Sequence, residues 1–340
     1  MNEAVFSVRY SQLHPDALKH ELTKRYEWET PIKCRLFDSG INDIYVVDAG
    51  EKRFFLRISL TGRLKQKDIE EEVTVMNTLA EHGISVAAPI PCKDFAFVWE
   101  ILAAEGVRYA VLFAEAKWAP SQDKVKQASR LGSTLARLHQ IADEQNFTVS
   151  RPAIDLQQLI QNPLNKVRPH LKHRTEDYPF FQKTAEQLGQ FIEQNLGYEK
   201  PYYGYCHGDV HGGNVHFQGE EPTLFDFDCM GYGWRAYDIC VFAWNETFGE
   251  EGYVDKEPWK AFLEGYQSVR PLSKMELDLI PAFAALRDFW LAALHADAIE
   301  WNAGCTWYND DYFNNRLRYF KLWHERATAC LENGGMAAHL

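Results

Sequence analysis

The stretch whose reading decides the fold is "YCHGDVHGGNVHF", Tyr205 to Phe217. It gathers His207, His211 and His216 with one aspartate, one asparagine and three glycines. Three readings compete. A zinc cage would use the histidines, since two histidines four apart face one way on a helix. Gly212 and Gly213 disfavour a helix here, however, and no cysteine or carboxylate pattern completes a familiar zinc set. A bare glycine turn would leave so many hydrogen-bonding groups without purpose, although such groups are costly to bury unpaired. An aspartate-centred catalytic loop is the third reading, and it depends on the residues C-terminal to the loop.

There, "VHF", "QGEE" and "PTLFDFD" read as strand, turn and strand. Asn214 stands before the first strand and Asp226 near the end of the second. An antiparallel return brings two such positions to one level. Asp209, five residues before Asn214, projects from the same loop. An aspartate, an amide oxygen and a second aspartate are then expected around one point. Hard oxygen ligands of this kind suit Mg²⁺, which takes few protein ligands and completes its shell with water and substrate phosphates.

The bulk properties narrow the partners. The chain has 340 residues, 46% of them hydrophobic and 25% charged, with a net charge of -12. Such an acidic chain repels phosphate backbones and anionic surfaces, so neither nucleic-acid nor membrane binding is expected. Its seven cysteines are scattered and never spaced C-x-x-C, which fits a reducing compartment. The N-terminus lacks a basic segment followed by an apolar run, and no apolar stretch approaches the roughly 20 residues of a membrane span. A cytoplasmic protein, monomeric or homodimeric, is expected.

Two domains are expected, residues 1–115 and 116–340, with a ligand-binding cleft between them. In the first, "KCRLFDSG", "DIYVVDAG" and "KRFFLRIS" read as strands separated by turn residues. "DIEEEVTVMNTLAEHG" switches to helical spacing, with Gly83 at its end, and "AFVWEIL" and "RYAVLFAEA" return to strands. The result is a small lobe of five strands and one helix. From "QASRLGSTLARLHQ" onward the texture is helical, interrupted by a β-region over 203–228 and resuming at Asp238.

"HGDVHGGN", followed twelve residues after its asparagine by "DFD", resembles the H-G-D-x-H-x-x-N…D-x-[DE] signature of the aminoglycoside phosphotransferase/choline kinase-like family. Asp228 departs from the glycine of the protein-kinase D-F-G, as in the small-molecule branch. "FDFDCMGYGWRAYDICVF" and the late "WHE" are similar to the homoserine kinase type II, stress-response kinase and hydroxylysine kinase group.

The resemblance implies an α+β, bilobal protein-kinase-like fold. It would pair an N-terminal nucleotide-binding lobe, with a five-stranded antiparallel sheet, with a larger helical catalytic lobe. It implies ATP and Mg²⁺ as cofactors and a small-molecule hydroxyl as acceptor, an amino alcohol, hydroxy amino acid or aminoglycoside-like amine. A Ser/Thr protein kinase and a nucleotide-binding pseudokinase stay open as alternatives. Asp209 would be the base, with Asn214 and Asp226 as catalytic metal ligands. Ser39, Gly40 and Asn42 would cover the phosphates; Arg57, paired with Glu72, would neutralise them; the main chain at Ala114, Glu115 and Ala116 would meet adenine. Asp238 and His207 would support the loop. For the acceptor, His211, Asp228, Trp290 and Trp301 are candidates, with Asp297 and Glu300 as further acids. An aromatic wall suits a cationic amine, though aromatics at helical spacing also serve as core.

Overall fold

The computed structural model describes residues 6–119, 123–147, 149–247, 254–299 and 306–332. The chain divides into two compact units, residues 1–116 and 117–340. In the first, β1 (Ile32–Ser39), β2 (Asn42–Ala49), β3 (Lys52–Ser59), β4 (Trp99–Ala103) and β5 (Gly106–Ala114) form one sheet in the order β1-β2-β3-β5-β4, with every pair antiparallel. The period of two in these strands sorts their side chains onto opposite faces. Tyr45, Val47, Leu56, Ile58, Ala110 and Leu112 form one core with Leu18 and Leu22. Each fully buried leucine of this kind contributes about 1.5–3 kcal/mol. Helix α2 (Gln66–Glu81) buries Ile69, Val73, Val75, Met76 and Leu79, and Glu72 among them.

One helix was expected in this unit, but the structure has two. Helix α1 (Pro15–Arg25) begins on His14, whose Nδ1 accepts from the Asp16 N–H at 3.2 Å, and Pro15 opens its first turn. Only Leu18 and Leu22 of α1 are buried. Two buried leucines in eleven residues make a short pattern, so tertiary burial and the cap, more than pattern, make this helix.

The second unit is mainly helical: α3 (Lys124–Gln145), α4 (Asn162–Val167), α5 (Asp177–Asn195), α6 (Arg235–Glu246), α7 (Lys256–Gln267), α8 (Lys274–Ile299) and α9 (Asp310–Glu332). Two small ladders interrupt it. Strand β6 (Tyr203–Cys206) pairs with β9 (Gly231–Trp234), and β7 (Val215–Gln218) pairs with β8 (Glu221–Leu224). The β-region therefore runs to Trp234, six residues beyond the expected end, and α6 starts at Arg235. Helix α8 is the spine of the unit, with every residue from Asp278 to Phe289 buried. A helix enclosed on all sides has no need of a polar face.

Candidate active site

Strand β6 feeds directly into the quoted loop, and its partner β9 feeds into α6. That arrangement puts the first turn of α6 beneath the loop. Asp238 on this turn is fully buried and accepts the His207 N–H and the Gly208 N–H, each at 2.7 Å. His139 Nε2 lies 3.0 Å from the same carboxylate, and its Nδ1 lies 2.8 Å from the Tyr266 hydroxyl. Burial pushes His139 down to about 4, outweighing the pull of Asp238. The ring is thus neutral at pH 7, donating from Nε2 and accepting at Nδ1. Burial alone would raise Asp238, but His139, His207 and the Gly208 N–H together hold it below the usual carboxylate range. Gly208 has φ +84°, and a Cβ there would meet the Cys229 carbonyl oxygen at 2.1 Å. Only glycine fits.

Among the described residues, one group has metal-compatible spacing: His139, Cys206 and Asp238. Its histidine and carboxylate are spent on the bonds above. Burial holds the Cys206 thiol well above its ordinary pKa. It is scaffold, and His207, His211 and His216 form no such group, which removes the zinc reading.

From this platform the loop turns through two main-chain bonds, His211 N–H to the Asp209 carbonyl and Asn214 N–H to the His211 carbonyl, both 2.8 Å. Asn214 Nδ2 donates to the Asp209 carbonyl at 3.0 Å and to Asp209 Oδ2 at 3.1 Å. His211 Nδ1 accepts the Gly213 N–H at 2.9 Å, so its Nε2 carries the proton of the neutral ring, 3.6 Å from Asp209 Oδ2. Burial lowers the pKa of His211 and keeps it neutral. Neither Gly212 nor Gly213 has a positive φ. What Gly213 provides is space, since a Cβ would sit 2.6 Å from His211 Cε1.

The β7–β8 hairpin brings the last acid back. Val215 pairs with Leu224, and the Phe225 N–H donates to the Asn214 carbonyl at 3.1 Å. Asp226 is the next residue, and its backbone is left-handed at φ 60°, ψ 64°. A non-glycine residue held this way costs of order 1–3 kcal/mol and persists where its surroundings impose it. The Asn214 amide nitrogen is committed to Asp209, which leaves the amide oxygen as the atom that could meet a metal ion. With the Asp226 carboxylate this is a hard-oxygen pair whose chemistry fits Mg²⁺.

Sequence reasoning missed Arg287, on α8. Its Nη2 donates to Asp209 Oδ1, and its Nη1 lies 3.3 Å from the Gly208 carbonyl and 3.2 Å from the Tyr237 hydroxyl. The guanidinium carbon lies 4.4 Å from the Trp244 ring centroid and 5.5 Å from that of Trp290. The signal was an Arg-Asp pair inside the otherwise apolar "LIPAFAALRDFWLAAL". Buried charges of this kind demand partners.

The acceptor candidates fare differently. Trp290 stacks on Arg287, so a cation of the protein itself already lies against its ring. Asp228 is buried beside Arg151, which donates to the Asp228 and Phe227 carbonyls. Asp297 is exposed and paired with Lys166. Trp301 and Glu300 lie outside the described residues.

In the first unit, Arg57 and Glu72 form a buried two-pronged pair, with Nη1–Oε1 and Nη2–Oε2 both at 2.8 Å. At the β1–β2 turn, Ser39 Oγ donates to Asp43 Oδ1 at 2.8 Å and meets the Tyr10 hydroxyl at 2.8 Å. The Gly40 N–H donates to the Asn42 carbonyl at 3.1 Å. The N–H groups of Ala114 and Glu115 are engaged by the carbonyls of Ala88 and Arg53.

Residues 33–272 match the model of the family described as "Phosphotransferase enzyme family". A Synechocystis protein described as uncharacterized is 33% identical, over 91% of this chain and 85% of its own. The homoserine kinase of Agrobacterium fabrum is 31% identical, over 68% of this chain and 70% of its own. Among solved structures, amicoumacin kinase hAmiN in complex with AMP-PNP, Ca²⁺ and Ami shares the fold, with a TM-score of 0.71 at 23% identity. It covers 92% of this chain and 93% of its own.

Proposed function

The chain belongs to the phosphotransferase enzyme family and is a kinase acting on a hydroxyl group; from that premise we propose that it moves the γ-phosphate of ATP to a small amine-bearing alcohol. An amino alcohol, a hydroxy amino acid or an aminoglycoside-like amine is the acceptor class, and the likeness to homoserine kinases supports it. The observation that carries the mechanism is the hydrogen-bonded pair of Asp209 and Asn214, with Asp226 brought back by the hairpin.

Asp209 accepts the proton of the acceptor hydroxyl as its oxygen forms a bond to the γ-phosphorus. The bond between that phosphorus and the β–γ bridging oxygen breaks, and its electron pair leaves with ADP. Mg²⁺, held by Asn214 and Asp226, would supply charge neutralisation on the nucleotide phosphates. Arg57, its fork held by Glu72, neutralises the α- and β-phosphates through its charge. Ser39, Gly40 and Asn42 border the phosphates. The Ala114–Ala116 main chain meets adenine through groups other than the Ala114 and Glu115 N–H. Chemistry of this type is mainly positioning and electrostatic stabilisation, which is why so much of the site is scaffold.

The test is phosphate transfer from labelled ATP with Mg²⁺ to a panel of homoserine, hydroxylysine, choline, ethanolamine and aminoglycosides. Transfer to at least one is expected. Labelling of polypeptides with none of the panel phosphorylated would overturn the acceptor class.

A further inference from the structure

We propose that Arg287 is a positioning residue for this reaction: it holds Asp209 Oδ1, so that Oδ2 is the oxygen presented to the acceptor hydroxyl. The proposal rests on Asp209 being the base. A carboxylate has two equivalent oxygens and turns about its Cβ–Cγ bond, so a base of this kind is undefined until one oxygen is tied. Here Oδ1 is tied to a guanidinium that is itself almost wholly buried. Oδ2 faces Asn214 Nδ2 at 3.1 Å and His211 Nε2 at 3.6 Å.

The guanidinium cannot drift. Trp244 and Trp290 approach its plane, and the Tyr237 hydroxyl and Gly208 carbonyl take Nη1. The loop is therefore gripped from both sides. Asp238 on α6 takes the N–H groups of His207 and Gly208. Arg287 on α8 takes the Gly208 carbonyl and the Asp209 carboxylate. One clamp accepts and the other donates, so the peptide units on either side of Gly208 are fixed together with the Asp209 side chain. A buried arginine is expensive unless partnered, and here Nη1 and Nη2 have partners while Nε has none among the described residues. An ammonium cannot make two parallel bonds in one plane, so lysine is a poor substitute.

The experiment measures kcat and nucleotide KM for Arg287→Met, Arg287→Lys, Tyr237→Phe and Asp209→Asn, and for the double variant D209N/R287M. Misplacing a reacting group by about 1 Å costs about 100-fold in rate. R287M is expected to lose about that much kcat while its nucleotide KM stays within about twofold, and R287K to recover part of the loss. Because Arg287 acts through Asp209, the double variant should be no slower than D209N alone. Normal kcat in R287M, loss confined to nucleotide KM, or additive losses in the double variant would each overturn the proposal. Melting curves check folding. Should R287M not fold, R287K and Y237F decide, and unchanged kcat in both is the overturning result. An active D209N would remove the base reading itself; an inactive D209N beside normal Arg287 variants would remove only this inference.

Discussion

Replacing Asp238 with asparagine keeps the shape of the side chain and exchanges one acceptor oxygen for a donor. Asp238 receives three donors, the N–H groups of His207 and Gly208 at 2.7 Å and His139 Nε2 at 3.0 Å. Hydrogen bonds to a charged acceptor are worth about 1.5–3 kcal/mol each. With one oxygen left, asparagine satisfies one side of the pair and turns its NH₂ toward an N–H on the other. The resulting cost is about 3–5 kcal/mol, the range for breaking a buried charged network. In a unit of this size that amounts to a fall in melting temperature of about 10 °C. The chain has two compact units, so the readout must report on the second. Trp234, Trp244 and Trp259 are all buried there, and tryptophan fluorescence during urea unfolding supplies it in a background where Trp28 and Trp99 of the first unit are replaced by phenylalanine. Calorimetry on the same samples shows whether one transition or two are present. The rate of phosphate transfer should fall along with stability, because the same bonds hold the loop bearing Asp209. A loss of stability below about 1 kcal/mol would refute the account of Asp238 as the anchor of the loop.

Stability should fall with acid in a way traceable to His139. Its folded pKa is about 4, against 6.5 in a model peptide. Between those values the unfolded chain binds a proton that the folded chain refuses, so stability rises with pH across that window and is lost on acidification. Over pH 7 to 5 the loss from this group is about 2 kcal/mol. His295, pushed down to about 4 by burial, has the same sign, whereas Asp288, pushed up to about 6 by burial, has the opposite one. Comparing the wild type with His139→Gln cancels both, and urea unfolding at pH 7 and 5 should show a shallower dependence in the variant; parallel slopes would contradict the assignment. Glu72→Gln should leave Arg57 buried with a broken pair, costing about 3–5 kcal/mol. It should also raise the KM for ATP by about tenfold, a change of about 1.4 kcal/mol. An unchanged KM in steady-state kinetics would separate Arg57 from the nucleotide.

The strands of the first unit were legible because their runs are rich in β-branched and aromatic residues between turn signals; alternation is blurred there, since Val46 and Arg57 are buried on the face opposite Tyr45, Val47, Leu56 and Ile58. The β7–β8 hairpin was legible from its turn and its flanking apolar runs. The short β9 was not, since "GYGW" carries glycine where a strand pattern needs side chains; those glycines leave room for Ile154 against Gly233. Helix α1 escaped for want of apolar residues. In the candidate site, the Arg57–Glu72 pair and the Asp238 anchor were legible only through the resemblance to the family's motifs. Arg287 was not legible: it stands 78 residues from Asp209, on a helix whose pattern announces only core. Long-range pairs of this sort leave no periodic trace, and a charge in an apolar run says that a partner exists without saying which.

The most direct test of Asp209 as the base is the kcat of Asp209→Asn on whichever acceptor of the panel the wild type phosphorylates. Binding of an ATP analogue is measured beside it. A positioned base contributes about 10²–10⁴-fold. The expected result is a fall of about 1,000-fold or more in kcat, with analogue affinity within about threefold of wild type. An Asp209→Asn variant that turns over near the wild-type rate would contradict the account.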